Sequence, residues 1–195
     1  MTYPYTSGQV VTAADMNAVG LHLITPTSVT GGTLSGATVN IGTAVTSITV
    51  DGVFSSDFDN YRIMWWLFSA GASINTFIQF RTTSTASTGY YSALNGHRFN
   101  DTHVDDFTSN SSSGLIGAVG LGRGGSHHID VFAPNKTSDT FYQGQNVYAN
   151  TTYGWTATCS GMQVNTTAYT GFVVQGDGTN TLTGGTIRVY GYSNG

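Results

Sequence analysis

The side chains able to do chemistry are few, and their types narrow the options. All ten acidic residues are Asp and none is Glu, so a carboxylate pair could only be Asp with Asp. The closest pairs are Asp57/Asp59 and Asp105/Asp106. A glycosidase needs two carboxyls roughly 5 to 9.5 Å apart across a groove. Asp57 and Asp59 stand instead in a Ser-Ser-Asp-Phe-Asp-Asn run, where short side chains bond their own backbone. There is no Gly-x-Ser-x-Gly elbow, no phosphate-binding glycine loop and no His-Glu-x-x-His. The chain therefore reads as non-enzymatic.

Metal chemistry fares no better. His97, His103, His127 and His128 share the middle of the chain with Asp101, Asp105 and Asp106, yet lack the tight spacing of a zinc site. His127 or His128 would be the residue to meet symmetry mates if three chains shared an axis. Gly176-Asp-Gly-Thr-Asn-Thr has the flavour of a calcium loop without its closing Glu, and reads as a turn. No metal and no cofactor is expected.

Recognition is the remaining option. Aromatic rings beside short polar side chains, presented on loops, suit a surface glycan. Two groups qualify: Tyr90, Tyr91, Asn95 and His97, and Tyr148, Asn150, Tyr153 and Trp155 flanking a hairpin turn. The competing reading is that these rings are core.

The elements needed to position them are strands. Charged residues make up 8% of the chain, and Lys appears once, at Lys136. Glu and Lys serve exposed helix faces, whereas Thr, Asn, Asp and Gly serve strands and turns. An all-β fold follows, and so little charge with 12% aromatics predicts a surface covered by oligomerisation. The net charge of −4 without a basic patch argues against nucleic acid as a partner. Cys159, the sole cysteine, excludes an intramolecular disulfide. No run reaches the roughly 20 apolar residues of a membrane span, so no membrane insertion is expected.

Strands are predicted at 61–68, 74–82, 90–94, 115–121, 127–133, 140–148, 154–159, 168–175 and 186–192, after a lead-in over 44–53. In the last, Ile187, Val189 and Gly191 face one way and Arg188, Tyr190 and Tyr192 the other. The first and last of these nine strands are expected to pair or neighbour. Before them, Thr12 can cap a short helix, with Asp15 three residues on and Met16, Val19 and Leu23 along one side. Between helix and sandwich, glycines at 31, 32, 36 and 42 punctuate Leu34, Val39 and Ile41. So thin a segment cannot bury its apolar side alone; three copies wound around an axis could, and the alternative is a flexible Gly/Thr linker.

The run Ser7-Gly-Gln-Val-Val-Thr-Ala-Ala-Asp-Met-Asn17 is similar to the Gly-x-x-Leu-Thr-Ala-Ala-x-Leu-Asn opening of many bacteriophage tail-fibre and virion proteins, with Val11 and Met16 in place of leucines. The pattern from Gly31 to Ile41 resembles the intertwined stalks of trimeric phage fibres. Phe54, Phe58, Tyr61, Arg62 and Ile63, together with Gly185, Ile187, Val189, Tyr190 and Gly191, resemble the two ends of phage fibre and decoration head domains; the resemblance does not extend over residues 85–180.

The resemblance implies a homotrimer with a virion-anchoring segment over 1–30 (Thr12, Asp15, Met16, Val19, Leu23), a trimeric stalk over 31–50 (Leu34, Val39, Ile41) and a jelly-roll-like antiparallel β-sandwich head over 51–195. Such a protein is made in the host cytoplasm and ends on the virion surface, joined to other virion proteins through its N-terminus. A short tail fibre or receptor-binding protein touching host glycan is the first expectation. A capsid-decorating protein or head fibre is the second, and a polysaccharide-degrading enzyme a distant third.

Overall fold

The computed structural model describes residues 20–69, 72–100 and 102–193. Among these residues every regular element is a strand and every pairing is antiparallel. Five short strands come first: β1 (Leu21–Ile24), β2 (Ser28–Thr30), β3 (Gly32–Ser35), β4 (Thr38–Ile41) and β5 (Ser47–Asp51). Ten follow: β6 (Asn60–Ser69), β7 (Ile74–Arg81), β8 (Tyr90–Arg98), β9 (His103–Ser111), β10 (Gly114–Val119), β11 (Gly125–Phe132), β12 (Thr140–Ala149), β13 (Gly154–Gln163), β14 (Gly171–Gly176) and β15 (Leu182–Tyr192).

They form two sheets. A ten-stranded sheet runs β3-β4-β15-β6-β11-β12-β13-β8-β9, with β1 also on β15, and a five-stranded sheet runs β10-β7-β14-β5-β2. Period-two alternation explains the core between them. Tyr61, Ile63, Trp65 and Leu67 of β6 point inward, as do Ile129 and Val131 of β11, Ile187 and Val189 of β15, and Ile78 and Phe80 of β7. Phe80 sits at the centre, its ring 6.2 Å from those of both Tyr90 and Tyr142 and 5.6 Å from Tyr169. The expected pairing of the opening and closing strands is present: Tyr61 lies opposite Gly191 and Ile63 opposite Val189.

A polar knot joins the sheets. Asn146 of β12 donates through Nδ2 to the Ala118 carbonyl of β10 and accepts from the Ala118 N–H, at 3.1 and 3.2 Å. The same amide lies 2.8 Å from His127 Nε2, which is 3.2 Å from Thr76 Oγ1. All three side chains are buried. Trp65 stacks on the His127 ring at 4.8 Å. Burial pulls the His127 pKa down to about 3, against the opposing effect of Ala118.

Two expectations need correction here. Residues 31–50 are not a separate stalk. β4 pairs with β15, β5 pairs with β14, and Val39 and Ile41 are buried in the core of a single chain, so they need no threefold cover; Leu34 is 39% exposed at the sheet's margin. Nor does a helix reach Leu23, which lies in β1 opposite Tyr190 and is half exposed. Thr12, Asp15, Met16 and Val19 lie outside the described residues. β9 lies in a stretch for which the sequence predicts no strand, and β8 runs four residues beyond the predicted 90–94.

Candidate binding face

The anticipated aromatic groups divide between core and surface. Tyr90 is fully buried, and its hydroxyl accepts the Phe80 N–H at 2.6 Å. Tyr148 and Trp155 are buried edge-to-face at 5.0 Å. These three are packing rings, because their strand positions point inward. Tyr148, Tyr153 and Trp155 do converge, but around a small hollow of about 200 Å³ at one end of the sandwich, where Arg98 lies 4.6 Å over the Tyr153 ring. Asn150 folds its own turn, its Oδ1 accepting from the N–H groups of Thr152 and Tyr153 at 2.8 Å. Burial, then the neighbouring Tyr153, pushes the Tyr148 phenol up to about 12.

Tyr91, Asn95 and His97 are exposed on β8 rather than on a loop. His97 meets His103 edge-on at 5.2 Å, and Asn95 Nδ2 lies 3.1 Å from His103 Nε2. Among the described residues no group of three or more His, Cys, Asp or Glu side chains is placed to hold a metal ion. His127 lies between the sheets, where it could not reach symmetry mates; His128 points outward beside it. Asp57 bonds Ser55 at 3.0 Å, and Asp59 pairs with Lys136 at 2.6 Å, so both serve local structure.

The outer face of the ten-stranded sheet is the most developed surface. Its residues fall into rows crossing the strands, fixed by register. One row runs Arg188, Met64, His128, Gln145, Thr158 from β15 through β6, β11 and β12 to β13. Four strand spacings separate its ends, roughly 19 Å. A neighbouring row begins Thr186, Trp66, Ser126. Two hollows lie along these rows and share His128: about 430 Å³ lined by Met64, Trp66, Arg188 and Tyr190, and about 380 Å³ lined by Asp130, Gln143, Gln145 and Thr158. Together they make a shallow trough floored by the sheet. Trp66 and Met64 are each 46% exposed, although both are large and apolar.

One side of the trough is fixed by charge. Arg62 grips Asp130 with two bonds, and Tyr192 donates its hydroxyl to Asp130 Oδ1 at 2.6 Å. Burial alone would raise the Asp130 pKa, but the bonds from Arg62 and Tyr192 outweigh it and hold the carboxyl below its ordinary value. Further along, Tyr91, Phe107, Phe141 and Met162 form an apolar patch, with Phe107 76% exposed.

The sequence already set Arg188 and Tyr190 on one face of the last strand. It did not reveal the trough, because 61–68 reads as a continuous bulky run. Only pairing with β11 and β15 shows that Met64 and Trp66 point out while Trp65 and Leu67 point in. Comparison with protein-family models, curated proteins and solved structures finds no match to this chain.

Proposed function

We propose that this chain is a non-enzymatic bacteriophage virion protein, a short tail fibre or receptor-binding protein, whose outer sheet face binds glycan on the host surface. The trough carries the reading: an exposed Trp and Met beside His128, Arg188, Gln143 and Gln145, extended over several strands. Planar amides and an indole face offer a saccharide both hydrogen-bond partners and an apolar platform. Binding is favoured over hydrolysis because, among the described residues, the two hollows are lined by one carboxylate, Asp130, already held by Arg62 and Tyr192. The virion setting rests on the tail-fibre resemblance of residues 7–17.

The reading includes a jelly-roll-like head and a homotrimer. The trimer is supported by the low charge of the chain and by the exposed patch at Tyr91, Phe107, Phe141 and Met162. Sedimentation of a single polypeptide at micromolar concentration would remove it.

A capsid-decorating protein or head fibre is the second reading, and one observation favours it. Residues 31–50 are built into the sandwich and so supply no spacer for a fibre. Antibody against the head, applied to whole particles, separates the two readings by labelling the tail or the shell.

The test of binding is a glycan array probed with the wild-type protein and with Trp66→Ala. The wild type should bind a defined subset of saccharides, and the variant should lose at least roughly tenfold in affinity. A wild type that binds none, or a variant that binds equally well, overturns the reading.

A further inference from the structure

We infer that the trough selects acidic saccharides, sugars bearing a carboxylate, and that Arg188 is the residue that reads the charge; this rests on the glycan-binding reading above. Arg62, Arg81 and Lys136 each hold a carboxylate, at 2.7, 3.0 and 2.6 Å. Arg98 lies over the Tyr153 ring and Arg123 is exposed in the turn before β11, and neither lines the trough. Among the described residues Arg188 has no carboxylate within 4.0 Å, and it is exposed in the hollow beside Trp66 and Met64.

Arg188 is nevertheless steered. Its Nε donates to Thr38 Oγ1 of β4 at 3.1 Å, which occupies one edge of the guanidinium. A guanidinium presents five N–H donors in a planar fork, so four remain after that bond. Two parallel donors of such a fork match the two oxygens of a carboxylate. The same row adds His128 and Gln145 across the floor.

The negative charge nearest this row, Asp130, is neutralised by Arg62 and by the Tyr192 hydroxyl, which reduces its repulsion of an incoming anion. An exposed cation is ordinarily solvated and unremarked. Here it lines a hollow with an exposed Trp, on a chain whose net charge is −4 and which carries only six Lys and Arg residues. A local positive site on an acidic protein discriminates between acidic and neutral sugars by charge complementarity.

The experiment is an array that displays hexuronate- and sialate-containing saccharides beside their carboxyl-reduced, neutral counterparts, followed by calorimetric titration of the strongest acidic saccharide. The wild type should prefer each acidic member over its neutral counterpart by roughly 10- to 100-fold, the scale of a charge-assisted bond, and the preference should shrink as salt rises. Arg188→Gln should bind both forms at the weaker affinity, while Arg188→Lys should restore part of the preference. Trp66→Ala should weaken both forms alike. Equal binding of acidic and neutral members, or a preference that survives in Arg188→Gln, overturns the charge inference and leaves glycan binding standing. Binding to no saccharide at all overturns both.

Discussion

Arg62 and Asp130 face one another across the β6–β11 pairing and close a two-pronged bond of 2.7 and 2.8 Å. The pair stands on the outer face, where water reaches both side chains: Arg62 is 31% exposed and Asp130 18%. Such a pair contributes less to stability than a buried one, but its two-pronged geometry fixes direction. It turns Asp130 away from any ligand role and defines the border of the trough.

Asp130→Asn keeps the shape and removes the charge. The expected loss is about 1 kcal/mol in urea unfolding, since Arg62 is left without its partner but can still be hydrated. A loss above about 3 kcal/mol would show that the pair behaves as a fully buried one.

His127 gives a pH dependence whose sign is fixed. Its folded pKa lies near 3, below the ordinary histidine value of 6.5. The unfolded chain therefore binds the proton first, and stability present above pH 6.5 drains away as pH falls from 6.5 towards 3. The slope from this one residue is at most about 1.4 kcal/mol per pH unit. Asp130, held below its own ordinary value, loses its contribution only at lower pH, below about 4. Urea midpoints measured from pH 7.5 to 4.5 should fall in the wild type and fall less steeply in His127→Gln. Identical slopes would assign the acid sensitivity elsewhere.

Trp155 is a core residue, 4% exposed against Tyr148. Trp155→Ala should cost about 3 to 5 kcal/mol, the range for truncating a buried aromatic. Thermal unfolding near the wild-type temperature would contradict its burial.

Gly185 lets β15 approach β6 beside Trp66. Its φ is +92°, and a Cβ there would lie 2.0 Å from the Trp66 carbonyl oxygen, at the bulge between Thr183 and Gly185. Gly185→Ala should destabilise by about 1 to 3 kcal/mol and also reduce glycan binding, because the shift moves the strand that carries Trp66. Retained stability together with retained binding would show that the bulge relaxes freely.

Much of the sandwich was legible because alternation is local information. The faces of β15 could be assigned residue by residue, as Ile187 and Val189 opposite Arg188 and Tyr190 show. Residues 31–50 were misjudged for the opposite reason. Val39 and Ile41 look too sparse to form a core, and their cover comes from β15 and its neighbours nearly 150 residues away, which no local pattern announces. The same holds for the trough, where Arg188 and His128 become near neighbours only through β6. Tyr90, Tyr148 and Trp155 misled because a buried ring and a displayed ring have the same spelling.

The strands β1 to β5 alternate between the sheets: β1, β3 and β4 join the larger, β2 and β5 the smaller. The segment from Leu21 to Asp51 thus laces the two sheets to each other along one chain, so that neither can separate from the other without breaking ladders made by its neighbours in sequence.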